Sequence, residues 1–364
     1  MPKEQFLYKI VYNDLKDKIS QQLLKKGEKL ASEEELTKQY GVSAITVKKA
    51  LCMLADEGFV RRVRGKGSFA ADDFLQKPPQ NVQVRSIPLI GAVFEHVSSS
   101  FGLQMLYEME RLTREAGYRL FPCFSYGERK LEIEAIRYLT EIGVSGLLIM
   151  PAHGRHYNRE ILRLVLEDFP VVLIDKKMEG IPVVSVRGDG EESMRQLVRY
   201  MAGKGRKKIG LVTVEETDTT TLIERKEGFF RQMEAEGLVP CPECRLPYIS
   251  YEDMSQTYEK VYTGAVREYL KQNGEELDGI VCAEYGLAMV AASVMKELGY
   301  EKTIELCCID ENYIGSDQYQ LTHVKQDEQK IAGCAVELLL RRIRGEAIEQ
   351  EDYLIPGIFR EAKE

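Results

Sequence analysis

Residues 29–70, KLASEEELTKQYGVSAITVKKALCMLADEGFVRRVRGKGSFA, decide how the front of this chain folds. Ser32-Glu33-Glu34-Glu35 has the form of a capping box, in which the serine hydroxyl accepts from the N–H of Glu35 while the Glu35 carboxylate reaches back. A helix is predicted from there to Tyr40-Gly41, where glycine tolerates a left-handed turn. Ser43, with Thr46 three residues on, predicts the cap of a further helix. In that helix Val47, Ala50, Leu51 and Leu54 form an inward stripe, which leaves Ile45, Thr46, Lys48 and Lys49 outward. After Gly58 the apolar period drops to two, and Gly65-Lys66-Gly67 predicts a hairpin turn returning through Ser68-Phe69-Ala70. The pattern is helix, tight turn, helix, β-wing.

Upstream, Tyr8, Val11, Leu15, Ile19 and Leu23 step by three and four, which predicts an amphipathic helix ending before Lys26-Gly27. Downstream, residues 72–86 contain Pro78-Pro79 and little periodicity, the composition of a linker. From Ile87 the grammar changes to short apolar runs alternating with amphipathic stretches. IPLIGAVF, YRLFPCF, SGLLIM and PVVLID form one set of strands, and KKIGLVTV, LPYIS, DGIVCA and IELCCID a second. Helical stretches such as Leu103–Ala116 and Glu224–Glu236 supply the crossovers.

The expectation is therefore an α/β chain: a winged helix-turn-helix over 1–71, a linker over 72–86, and two doubly wound parallel sheets over 87–364. The first lobe takes about 87–186, the crossovers fall near 186–190 and 310–326, and the second lobe takes about 190–309 and 327–364. Ligands of such lobes sit at the carboxyl ends of the strands.

Charge follows the same division. The chain carries a net −8, yet residues 1–77 hold 15 Lys and Arg against 11 Asp and Glu, while the remainder holds 35 against 47. A basic front on an acidic body fits a module that meets a polyanion. Met-Pro-Lys-Glu-Gln has no apolar core of signal-peptide length and no run approaches a membrane span, so a cytoplasmic protein is expected. Eight cysteines at irregular spacing read as reduced thiols.

The stretch at 29–70 resembles the winged helix-turn-helix of GntR-type transcription regulators. The likeness is carried by Leu30–Leu36, Val42–Lys48, Leu54–Gly58 and the wing tip Gly65–Phe69. The remainder is similar to the LacI and sugar-binding-protein type of effector domain, through LIGAVFEHVSSSFG, PVVLIDK, ERKEGF, CCIDENY and LTHVKQD in that order. The combination resembles the arabinose-repressor subfamily. Departures stand out: Ala31 replaces a usual proline, and Glu34 and Ala44 stand where relatives commonly carry arginines that approach DNA.

The resemblance implies a ligand-responsive repressor of carbohydrate utilisation genes, with double-stranded operator DNA and a sugar or related polar effector as partners, acting as a homodimer. It places the start of the third helix in the major groove and the wing against a neighbouring groove or backbone. Ser43, Thr46, Lys48 and Lys49 are then the helix contacts, and Arg61, Arg62, Arg64, Lys66 and Gly67 those of the wing, with Gly65 allowing close approach. Such cations replace condensed counterions, so affinity falls steeply with salt. For the effector, matching positions are Ser98, Ser99, Ser100 and Phe101, Asp189, Arg225, Glu284 and Tyr285, and Asp310. Arg225 would bridge hydroxyls, while Asp189 and Asp310 would accept from them. Relatives often show Asn-Asp where Glu284-Tyr285 stands, which points to a different ligand from arabinose.

No cofactor or metal is expected. Gly65-x-Gly67-x-x-Ala70 mimics a dinucleotide fingerprint, but no helix follows it. His153 and His156 lack a third ligand, and Cys241-Pro-Glu-Cys244 has zinc-knuckle spacing without a second pair, reading as an exposed loop. Three rivals stand beside the repressor: a transport-type solute-binding protein, a cytosolic sensor with a degenerate DNA module, and a sugar-modifying enzyme with a DNA-binding head. Against the last, G-x-S-x-G, H-E-x-x-H and P-loop motifs are absent.

Overall fold

A computed structural model describes residues 7–25, 27–63, 66–71, 87–152, 158–215, 219–247, 249, 251–311 and 321–362, with 251–259 by their backbone. Linker residues 72–86, Arg64, Gly65, His153 and His156 lie outside the described residues. The chain divides into two units, Met1–Ser86 and Ile87–Glu364.

In the first unit α1 (Leu7–Ser20), α2 (Glu33–Tyr40) and α3 (Ala44–Asp56) precede a hairpin of β1 (Val60–Val63) and β2 (Gly67–Ala70). Leu23 is not part of the first helix: the chain leaves α1 at Ser20, Gln22 takes a positive φ, and Leu23 is 67% exposed. The apolar stripes of the three helices close on one core, with Val11, Leu15, Leu36, Val47, Leu51 and Leu54 buried among Leu30, Val60 and Ala70. Gly67, at φ 109, opens the returning strand with Val63 as its partner. The supposed dinucleotide fingerprint is thus strand, not loop to helix.

The second unit starts with β3 (Leu89–Phe94), α4 (Leu103–Glu115), β4 (Arg119–Phe124), α5 (Arg129–Glu141), β5 (Gly146–Ile149), α6 (Arg159–Leu166), β6 (Val171–Ile174) and β7 (Val184–Gly188). It continues with α7 (Gly190–Gly203), β8 (Ile209–Val214), α8 (Thr220–Ala235), β9 (Cys244–Leu246), α9 (Tyr251–Asn273), β10 (Gly279–Cys282), α10 (Tyr285–Leu298), β11 (Glu305–Ile309) and β12 (Thr322–Lys325). It ends with α11 (Glu328–Ile343), β13 (Asp352–Ile355) and β14 (Ile358–Arg360).

Among the described residues the strands form two sheets, β4-β3-β5-β6-β7-β13 and β9-β8-β10-β11-β12-β14. The first five strands of each repeat one parallel, doubly wound order, and β14 joins antiparallel. These central strands, such as Leu147-Leu148-Ile149 and Val171–Ile174, are buried on both faces, which is why they read as continuous apolar runs.

Two sequence expectations are corrected here. The edge strand expected at LPYIS lies earlier, at Cys244–Leu246, because pairing with Val212–Val214 fixes its register and Pro247, which cannot donate to a ladder, ends it. The assignment of 327–364 to the second lobe also fails. Helix α11 buries Ile331, Ala335 and Leu339 with Ile90, Phe94 and Met109 of the first lobe, and β13 pairs with β7. Only β14 returns to the second sheet. The chain therefore crosses between lobes at Gly188–Gly190, after Lys325, and between Ile355 and Ile358. An apolar helix face carries no address, so periodicity alone leaves its lobe open.

Helices α7 and α8 approach closely through Gly228, where a Cβ would lie 2.3 Å from the Glu191 carbonyl oxygen. That contact seats α8, which carries Glu224 and Arg225, beside the first crossover.

Candidate functional site

In the first unit the capping box forms as expected: Ser32 accepts from Glu35 N–H at 3.2 Å, and the Glu35 carboxylate accepts from Ser32 N–H at 2.7 Å. Ser43 caps α3 by accepting from Thr46 N–H at 3.3 Å, and the two hydroxyls meet at 2.8 Å. Both hydroxyls are thus engaged in holding the helix start. Lys48 and Lys49 are both exposed, and the Lys49 ammonium lies 4.1 Å from the centre of the Tyr8 ring.

On the wing, Arg61, Lys66 and Gly67 are exposed. Arg62, also exposed, donates to Glu33 of α2 and to Cys52 Sγ at 3.2 Å, a surface pairing that braces the wing against the helices. A cation that sequence reasoning missed joins them: Lys29, exposed, bridges antiparallel to Phe69 and so enters the wing as a third short strand. Its signal was the Lys29-Leu30 pair just ahead of the capping box. Arg64 lies outside the described residues.

In the second unit the carboxyl ends of both sheets carry buried polar groups. β6 and β11 each end in an aspartate with a left-handed backbone, Asp175 at φ 66 and Asp310 at φ 70. Each donates its N–H to the next strand, to Val186 O at 3.0 Å and Val324 O at 2.9 Å. Non-glycine residues held there carry about 1–2 kcal/mol of local strain, which marks the two strand ends as built rather than incidental.

Asp310, 7% exposed, accepts from Gln326 N–H at 3.1 Å and from Gln326 Nε2 at 3.0 Å. Burial pushes its carboxyl up to about 6, against the pull of the Arg225 guanidinium. Arg225 is 6% exposed; its Nη1 donates to Ala283 O at 2.9 Å and stands 3.9 Å from Glu284 Oε1, while its Nε has no partner among the described residues. Arg225, Asp310 and Glu284 therefore come together at the ends of β10 and β11, where the strand order reverses around β8. An unpartnered buried guanidinium N–H is costly in isolation and is matched to a hydroxyl or carboxylate acceptor.

Other sequence-derived positions have structural partners. Asp189 caps α7, accepting from Glu192 N–H at 2.9 Å. Ser98 closes its own turn, accepting from Ser100 and Phe101 N–H at 3.3 and 3.2 Å, with Ser99 between them and Phe101 packed on the first-lobe core. Tyr285 opens α10 and is partly buried against the second-lobe core. Cys244 is buried in β9 rather than on an exposed loop, and burial pushes its thiol up to about 12. Burial likewise raises Cys241, the opposite of what a metal-ligating thiolate needs.

Sequence reasoning also missed the first-lobe floor, where buried Lys176 donates to Glu95 and to Pro151 O at 3.0 Å. Near them burial raises the Glu132 carboxyl, which accepts from Asn158 Nδ2 at 2.6 Å. Gln326 was missed as well. Just after the second crossover, Glu328 opens α11, and its carboxylate accepts from Gly102 and Met105 N–H at 2.9 Å, capping α4 within the first lobe. Two polar cavities flank the Arg225 group rather than contain it. One of about 300 Å³ lies beside Thr213, Lys226 and Glu243, the other of about 200 Å³ beside Asp189, Glu224 and Leu354.

Residues 88–332 match the family of periplasmic binding proteins and sugar binding domain of LacI family. The chain belongs to this family. Residues 7–69 match the bacterial regulatory proteins of the gntR family, so the family's sugar-binding domain is joined here to a GntR-type helix-turn-helix. The chain is 24% identical over 334 residues to the arabinose metabolism transcriptional repressor of Geobacillus stearothermophilus, covering 90% of this chain and 88% of that one.

Among solved structures, transcription regulator CcpA of Lactococcus lactis superposes with a TM-score of 0.64 at 18% identity, over 76% of this chain and 98% of that one. The periplasmic binding protein/LacI transcriptional regulator of Alkaliphilus metalliredigens, complexed with D-xylulofuranose, gives 0.61 at 20% identity, over 76% and 98%. Both share the two-lobed family fold.

Proposed function

We propose that this chain is a transcriptional repressor of carbohydrate utilisation genes whose DNA binding is controlled by a sugar or sugar-like polar effector held between the lobes of residues 87–362. The observation that carries the reading is one chain joining a capped, exposed recognition helix to a two-lobed domain with a buried guanidinium lacking a full set of acceptors. Repression is exerted where the chromosome lies, so the protein works in the cytoplasm; no helix among the described residues is long and apolar enough to cross a membrane. It acts as a homodimer, one helix-turn-helix to each operator half-site. Its chemistry is binding rather than turnover, in keeping with relatives that are transcription regulators.

Arg225 and Asp310 hold the effector hydroxyls, with Glu284 rimming them. Closure of the lobes around the ligand shifts the DNA modules, a coupling of about 1–3 kcal/mol. A thermal-shift screen of pentoses, hexoses, uronic acids and sugar phosphates identifies the ligand. Arg225→Ala is expected to weaken its binding about 10- to 100-fold, the worth of a charged hydrogen-bond pair, while leaving duplex binding intact. Equal ligand affinity in the variant sinks this assignment.

Lys48→Ala and Arg61→Ala are expected to lose duplex binding and keep the ligand response, each reducing the slope of log affinity against log salt by about 1. Gel-shift titration with upstream DNA of the locus at two salt concentrations checks this. Unchanged binding in both variants sinks the contact assignment, whereas no specific duplex binding by the wild type points to a sensor with a degenerate DNA module, a case favoured by Glu34, whose carboxylate is paired with Lys38 at 2.8 Å.

A further inference from the structure

The strongest unexplained surface feature of the first unit is Ile45, 80% exposed in the first turn of α3, where the helix core uses Val47, Ala50 and Leu51 on the opposite side. Resting on the DNA-binding reading above, we infer that Ile45 sets operator preference by apolar contact with thymine 5-methyl groups in the major groove.

Neither α2 nor α3 contains an arginine, so no guanidinium fork on these helices reads guanine O6 and N7. Ser43 and Thr46 hydroxyls are spent on each other and on the cap, and Lys49 lies over Tyr8. Glu34 is paired with Lys38 and repels phosphate, while Arg62 is held by Glu33. What the helix start offers to base edges is Ala44 and Ile45, both exposed, with Lys48 one turn further on.

Among the four bases thymine alone presents a methyl group in the major groove, and an isoleucine on a rigid helix meets it without loss of hydrogen bonds. Lys48 on the same helix, with Arg61 and Lys66 on the wing, all exposed, supply the charge complementarity that draws a duplex to this unit. The result is a reader of A·T pairs by shape and apolar contact rather than of guanine by hydrogen bonds.

The test uses the full chain and a random-sequence duplex library. After selection of retained duplexes, each thymine is replaced singly by deoxyuridine, which lacks only the 5-methyl, and affinity is read by fluorescence anisotropy at fixed salt. At one thymine or more of a half-site the wild type is expected to lose about four-fold, the worth of one buried methyl, while Ile45→Ala shows no loss at that position. Ile45→Ala on the thymine duplex loses at least as much, with its thermal unfolding unchanged because the side chain is exposed. Retained duplexes that tolerate deoxyuridine everywhere, or a deoxyuridine effect undiminished in Ile45→Ala, overturn the inference and leave the repressor standing. Retention of no duplex above the random control overturns both.

Discussion

Asp310→Asn is expected to stabilise the unliganded chain by about 3 kcal/mol at pH 8 and to leave it unchanged at pH 4, while weakening effector binding at least ten-fold. The carboxyl takes up its proton near 6 in the folded chain and near its ordinary 3.8 when unfolded. Between those values the folded chain binds more protons, so stability falls as pH rises through the window. The full cost is present above pH 6 and absent below 3.8. Arg225, Glu284 and Glu328 surround this carboxyl, and the two carboxylates add to the cost that Arg225 offsets.

Asparagine keeps one acceptor oxygen for Gln326 N–H and, with the Gln326 amide turned over, donates its NH2 to Gln326 Oε1, all without the charge, and it loses the acceptor strength an effector hydroxyl meets. Urea unfolding at several pH values reads the stability, and calorimetry with the screened sugar reads the binding. An asparagine variant no more stable than wild type at pH 8, or equally stabilised at both pH values, defeats this account. The buried carboxyl thus holds an unfavourable charge; on the proposed reading an effector hydroxyl donating to it offsets that cost, a common trade of stability for function.

Arg187→Leu is expected to cost about 3 kcal/mol at neutral pH. The guanidinium, 2% exposed on β7, donates from Nε to Asp352 Oδ1 at 2.9 Å and from Nη2 to Oδ2 at 2.6 Å, and Nη1 meets Glu224 of α8. Burial opposes ionisation of Asp352, and the bidentate bond outweighs it, holding that carboxyl below its ordinary range. For Glu224 burial wins over Arg187 and the carboxyl is raised.

Removing Arg187 leaves two partly buried carboxylates beside one another. Lys177, 3.9 Å from Glu224 and 4.0 Å from Asp352, softens the loss, which places it at the low end of the cost of breaking a buried pair. The Asp352 part of the effect fades on acidification, since a depressed carboxyl stabilises only while it is ionised. Because β7 belongs to the first lobe and α8 to the second, the pair also ties the lobes together one residue from Arg225. A variant within 1 kcal/mol of wild type by urea unfolding at pH 7 contradicts this role.

How much of this was legible depends on range. Ser32 with Glu35, Gly41, and Ser43 with Thr46 act over three or four residues, so their caps follow from spacing alone. The strand runs LIGAVF, GLLI and VVLI were legible because parallel strands covered on both faces must be apolar throughout. The resemblance places Arg62 in the wing as a DNA contact, and its ion-pair partner Glu33 lies 29 positions away, beyond any local pattern. The C-terminal helix was sent to the wrong lobe for the same reason.

By itself the amino-acid order determined the helix-turn-helix with its wing, the alternation of strands and helices and the charge division, while Arg225 and Asp310 were implied by the resemblance to the LacI type of effector domain. Only the tertiary structure decided that α11 and β13 rejoin the first lobe, that Arg62 pairs with Glu33, and that Arg187 ties β7 of the first lobe to Glu224 of the second. The division has one cause. Capping, turn and periodicity signals are interactions between near neighbours, whose geometry the backbone imposes, whereas buried ion pairs join residues brought together by the whole fold and leave no periodic trace.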